Sequence, residues 1–137
     1  MTAVLSPQDA LIAVMVGTSV VDAKQSDAEL LTIVAEINSL PAFADYDHSR
    51  IPGINSLVKD LFDEDDGIDA LIGLVQEALP ERFNETAYAL ACDIAAADGK
   101  VNMSELRFLE IVRHDLKVGR LASAAIERGA RARHQRF

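Results

Sequence analysis

The sequence predicts an all-α protein: a compact bundle of about seven helices with an internal pseudo-twofold duplication. Three observations carry this. No segment alternates apolar and polar residues at period two, whereas several repeat apolar residues at helical spacing. Half of the 137 residues are hydrophobic but only 5% are aromatic, with no Trp, so the core must come from Ala, Leu, Ile and Val, a composition suited to closely packed helices. Finally, a short signal occurs twice, 76 residues apart: Asp22, Lys24, Glu29 and Leu30 recur as Asp98, Lys100, Glu105 and Leu106. Residues 1–137 are enough for one domain with one real core.

The elements follow in order. Ser6, Pro7 and Asp9 supply an N-cap, an N1 proline and a first-turn acid for a helix reaching about Asp22. It is apolar almost all round and should be central. Ser26 and Glu29 form the Ser-x-x-Glu capping box of a second helix carrying Leu30, Leu31, Ile33, Val34 and Ile37, stopped by Pro41. Pro41 to Pro52 reads as a surface loop, Ile54 to Phe62 as a short helix with Leu57, Val58 and Leu61 inward, and Asp63 to Asp66 as an acidic loop ending at Gly67. Ile68 to Leu79 is amphipathic and closed by Pro80; Phe83 to Ala97 forms the second central helix. Asn102 and Glu105 repeat the capping box ahead of a helix to about Leu116, and Leu121 to Arg133 forms a last helix that frays. The two halves are expected at about 7–62 and 68–117, followed by a basic helix or tail at 118–137.

The net charge of −9 hides an asymmetry. Residues 1–116 hold 7 basic and 21 acidic side chains, whereas 117–137 hold 6 basic and 1 acidic. An acidic body repels nucleic-acid phosphates, so no nucleic acid is expected as a partner. The basic segment (Lys117, Arg120, Arg128, Arg131, Arg133, Arg136) is either solvated or docks on that body, on an anionic membrane or on an acidic partner. No window approaches the roughly 18 apolar residues of a membrane span. The apolar run after Ala10 lacks the basic flank of a signal peptide, and Cys92 is the only cysteine, so a cytoplasmic location is expected.

The duplicated turn is the candidate functional feature. Glu29 and Glu105 stand at N3 of capping boxes, where satisfying a free N–H and the helix dipole explains them without any function. Asp22 and Asp98 stand at helix C-termini, where the dipole disfavours negative charge by roughly 0.3 to 1 kcal/mol. Either Lys24 and Lys100 compensate, or a bound cation does, since unpaired terminal carbonyls and carboxylates are the oxygen ligands of Ca²⁺ and Mg²⁺. The spacing permits an ion without requiring one. An EF-hand is excluded, because aligning Gly67 or Gly99 with its loop glycine puts Phe62 or Ile94 at the first ligand position. Asp93, inside an otherwise apolar helix, must be paired or at a crevice. His48, His114 and His134 are scattered and read as surface residues. No nucleophile elbow, Walker loop, dinucleotide fingerprint or His-Glu-x-x-His motif is present, and no catalytic residue is assigned.

The stretch Ala89 to Leu109, ALACDIAAADGKVNMSELRFL, resembles the signature of the TerB (tellurite-resistance) family of small helical bacterial proteins. Its mark is an Ala-rich helix ending in Asp-Gly, a short turn, and a helix with an early Glu followed by leucines. Asp98, Gly99, Glu105, Leu106 and Leu109 carry the match, and Asp22, Glu29 and Leu30 look like its counterpart in the first half, with Ala23 where the second copy has Gly99. The resemblance spans about residues 8–117. It implies an internally duplicated helical domain with an acidic surface binding a divalent cation (Ca, Mg, Mn or Zn) at Asp22, Glu29, Asp98 and Glu105. It also implies association with other proteins, some at the inner membrane, in tellurite and chemical-stress responses. The leading expectation is therefore a non-enzymatic stress-response domain that binds a divalent cation. The rival is a metal-free protein- or membrane-interaction module whose carboxylates are helix caps. A third reading is a hydrolase at an Asp93/Asp98 cleft.

Overall fold

A computed structural model describes residues 5–22 and 24–137; the Ala23/Gly99 difference between the two copies thus falls partly outside the described residues. Among them are seven α-helices, three short 3₁₀ turns and no strand: α1 (Pro7–Val20), α2 (Asp27–Ser39), α3 (Ile51–Phe62), α4 (Gly67–Ala78), α5 (Asn84–Ala96), α6 (Met103–Asp115) and α7 (Arg120–Arg133). The expected all-α bundle is what forms.

Helix α1 starts where Ser6 and Asp9 close a capping box, and every residue from Asp9 to Ser19 is buried. Such a helix needs neighbours all round, and α1 packs on α5, α3, α4, α2 and α6. Its hydroxyls are satisfied internally, Thr18 Oγ1 donating to the Val14 carbonyl (2.9 Å) and Ser19 Oγ to Val16 (2.8 Å). Gly17 lets α1 approach closely, since a Cβ there would lie 2.9 Å from both Leu71 Cδ2 and Phe108 Cζ. Helix α5 is the second centre, buried at Ala87, Tyr88 and from Leu90 to Ala95.

The packing is duplicated. Helix α3 lies on α1 as α7 lies on α5, and α2 and α6 each touch both central helices. The correspondence is thus α1–α2–α3 with α5–α6–α7, and α4 stands outside it. The segment set apart in sequence as a basic tail is, by packing, the third helix of the second half. Arg133 Nη2 donates to Asp93 Oδ1 (2.6 Å), so Asp93 is paired, and His134 Nε2 lies 3.5 Å from the same oxygen rather than standing free at the surface.

Pro41 to Pro52 is more ordered than a surface loop. It forms 3₁₀ turns at Pro41–Phe43 and His48–Arg50, Pro52 lies in the first turn of α3, and Phe43 and Tyr46 are buried. The reason is Asp9, fully buried yet accepting from Tyr46 Oη (2.8 Å), Arg50 Nε (3.1 Å) and the Ser6 N–H (2.9 Å). A buried carboxylate needs such partners, and both side chains come from this segment. Burial pushes the Asp9 carboxyl up, but Arg50, Ser6 and Tyr46 overcome it and hold it at about 2.

Candidate divalent-cation site at the duplicated turns

Each turn is built by the same local rules. Asp22 and Asp98 lie two residues past the ends of α1 and α5. Asp22 Oδ1 accepts the backbone N–H of Lys24 (3.0 Å), and Asp98 Oδ1 accepts that of Lys100 (2.9 Å). These Asx turns compensate the unfavourable helix dipole with a backbone donor. The lysine side chains are one of the two compensators the sequence offers, but among the described residues neither forms an ion pair. Gly99 occupies the left-handed region at φ 75°, where glycine costs least.

The next helices begin with reciprocal caps. Glu29 Oε1 accepts the Ser26 N–H (2.8 Å) and Ser26 Oγ accepts the Glu29 N–H (3.1 Å). Asn102 Oδ1 accepts the Glu105 N–H (2.8 Å), while Glu105 Oε1 accepts from Asn102 Nδ2 (2.8 Å) and, at 3.4 Å, the Asn102 N–H. The two turns meet through Asn102, whose Nδ2 also donates to Asp22 Oδ2 (2.5 Å). Sequence reasoning treated Asn102 only as a cap; nothing in its spacing reveals a contact 80 residues away in the chain.

Because α1 and α5 pack against each other, both turns open into one cavity of about 460 Å³. Asp22, Glu29, Asp98 and Glu105 all line it, with Lys24, Lys100, Gln25, Ser26, Val101 and Asn102. All four predicted carboxylates are therefore brought together, whereas Asp93 does not line this cavity and is taken by Arg133. Glu29 and Glu105 are buried, at 3% and 2% exposure, while Asp22 and Asp98 are half-buried.

Two buried carboxyls facing one another are the electrostatic anomaly. Burial raises the Glu105 carboxyl to about 8, and the Glu29 and Asp22 charges push the same way against the pull of the Asn102 N–H. Glu29 is raised too, by burial first and further by Asp98, against its bonds to Ser26. Glu105 Oε2 is fully buried and has no partner while both carboxyls are ionised, since two carboxylates cannot hydrogen-bond each other; the proton that the raised Glu105 carboxyl retains donates to Glu29 and satisfies that oxygen. Among the described residues no three acidic, His or Cys side chains are grouped closely enough to enclose an ion as they stand. A cation here would require the side chains of the turns to rearrange.

Chemically, the arrangement offers carboxylate oxygens and excludes soft ligands, because Cys92 lines a separate depression between α5, α6 and α7. Comparison with protein-family models, curated proteins and solved structures finds no match for this chain.

Proposed function

We propose that the chain is a non-enzymatic helical domain that binds a divalent cation at the paired turns, with Asp22, Glu29, Asp98 and Glu105 as ligands. The carrying observation is Glu105 Oε2, a fully buried carboxylate oxygen without a partner, on the wall of a cavity that three further carboxylates also line. Buried polar atoms are nearly always satisfied; the partner that Oε2 lacks when ionised is either a proton shared with Glu29 or a cation, and the cation is the reading the three further carboxylates favour. The donor set fits: hard oxygen ligands suit Ca²⁺, Mg²⁺ or Mn²⁺ better than Zn²⁺. When bound, the ion supplies positive charge that neutralises the Glu29–Glu105 pair and ties the two halves together. The Asx bonds fix the backbone of the turns beforehand, while the carboxylate side chains would still have to converge on the ion.

The TerB resemblance of Ala89 to Leu109 supports the same reading and adds a stress-response setting, a cytoplasmic location and engagement of other proteins. The exposed apolar side chains Leu31 on α2 and Met103 on α6, at 71% and 79%, are in keeping with a partner surface. No described helix is long and apolar enough to cross a membrane.

The test is thermal unfolding of chelator-treated protein with each of Ca²⁺, Mg²⁺, Mn²⁺ and Zn²⁺. A ligand of the folded state raises the melting temperature, and Asp98→Asn abolishes the rise. No response to any ion sinks the proposal. The metal-free reading is favoured by one observation: local caps and Asx turns satisfy Asp22, Glu29 and Asp98 without an ion. It predicts that no ion shifts the melting temperature of the parent or of Asp98→Asn.

A further inference from the structure

The basic C-terminal segment does not line the site, yet it reaches the turn that carries Asp98. Arg133 anchors the end of α7 on Asp93, whose side chain is only 8% exposed. Three residues on, Arg136 Nη2 donates to the carbonyl of Ala97 (3.0 Å), the residue before Asp98. The same guanidinium lies against Gly99: its central carbon would be 3.9 Å from a Cβ at that position. The contact occupies one of the carbonyls that the end of α5 leaves free, and the dipole of α5 favours a cation there. A full positive charge is thus held at the Ala97–Asp98–Gly99 turn, and Asp98 lines the carboxylate cavity.

We propose that Arg133 and Arg136 form an intramolecular clamp that holds Arg136 at the Asp98 turn as a built-in competitor of the divalent cation, lowering the affinity of the carboxylate cavity. The inference rests on the cation-site reading above. A fixed unit charge opposes a divalent ion entering nearby, an effect worth roughly three- to fivefold in affinity at low salt, and screened as ionic strength rises. By linkage, the ion weakens the hold of Arg136 on the turn by the same factor.

Isothermal calorimetry of the full chain with Ca²⁺ and with Mn²⁺ tests this, comparing the parent with Arg136→Ala and Arg136→Lys at 20 mM and 500 mM NaCl. The expected result is a dissociation constant roughly three- to fivefold lower for R136A at low salt, with the gap narrowing at high salt. R136K, which keeps the charge, should stay near the parent. Arg136 is exposed, so R136A should fold, and an unchanged circular-dichroism melt checks it. Equal or weaker binding by R136A, with the parent binding normally, overturns the clamp and leaves the cation site standing. If neither protein binds any ion, the cation-site reading fails and the clamp falls with it. Binding by R136A alone would be the clamp in its strongest form.

Discussion

Replacing Glu105 with Gln separates a cap from a ligand, because the two roles predict opposite signs. As N3 of a capping box, Gln is an accepted substitute: its Oε1 can keep the bond from Asn102. What Gln loses is its charge at the start of α6, worth about 0.3 to 1 kcal/mol. A pure cap therefore makes the variant equal to the parent or slightly weaker. In the structure, however, Glu105 is 2% exposed, faces the buried Glu29, and has Oε2 without a partner. Leaving such an atom unsatisfied costs about 1 to 3 kcal/mol, and the Gln amide would turn it into a donor toward Glu29. The net expectation is a gain of about 1 to 2 kcal/mol. At about 4 °C per kcal/mol for a chain this size, the melting temperature should rise by roughly 4 to 8 °C. The assay is urea and thermal unfolding at pH 8 in excess chelator, repeated with saturating Ca²⁺ or Mn²⁺. Added ion should raise the parent toward the variant and leave the variant unmoved. A destabilised variant in chelator, or one that still responds to the ion, would refute the reasoning.

Other consequences concern the frame that carries the site. Asp9 is fully buried and its carboxyl is held at about 2, below the usual 3.8, so it contributes about 2 kcal/mol that is present above pH 4 and lost as the pH falls toward 2. Arg50→Met, which strands that carboxylate, should cost about 3 kcal/mol at pH 7 and remove this acid limb from the profile of urea stability against pH. Gly17→Ala should destabilise by about 1 to 3 kcal/mol through its contacts with Phe108 and Leu71, and a Phe108→Leu background should reduce that penalty by more than about 0.5 kcal/mol in a double-mutant cycle. Gly67→Ala would put a Cβ 1.9 Å from the Leu61 carbonyl oxygen, so the turn between α3 and α4 should open, at more than about 2 kcal/mol in chemical denaturation. A neutral Gly67→Ala would contradict that close approach.

The helices were legible because their signals are local. Ser6, Ser26 and Asn102 announce helix starts through caps that form as read, and the nearly all-round apolar face of α1 forces a central position. Local patterns fail where a long-range partner decides. Asp9 looked like an ordinary first-turn acid, and only Tyr46 and Arg50 folding over it show why residues 41–52 are not a free loop. Leu30, Leu31 and Val34 sit in an apolar pattern yet are exposed at 40%, 71% and 46%, since α2 spends its buried face on Glu29, Ile33 and Ile37. The four site carboxylates were found from their repeat. The Asn102–Asp22 bridge, the Glu29–Glu105 pairing and the Arg136 contact were not, because each joins distant parts of the chain through packing alone.

The duplication itself explains why the anomaly exists. A Glu at N3 is harmless on a single helix, where water surrounds the outer oxygen and the dipole favours the charge. Packing α1 against α5 brings the second copy of the same cap into the same cavity, so two locally favourable choices become one unfavourable pair. A chain selected only for stability has a simple escape, since Gln at either position keeps the cap and removes the repulsion. Ser26 and Asn102 show that the copies differ at the N-cap itself, so the motif tolerates change there, while Glu29 and Glu105 are alike and both ionisable. Capping accounts for one oxygen of each Glu. The second oxygen of Glu105, buried and unpaired when ionised, is what capping leaves unexplained, and the proposed cation between the halves would supply a partner in place of the proton shared with Glu29.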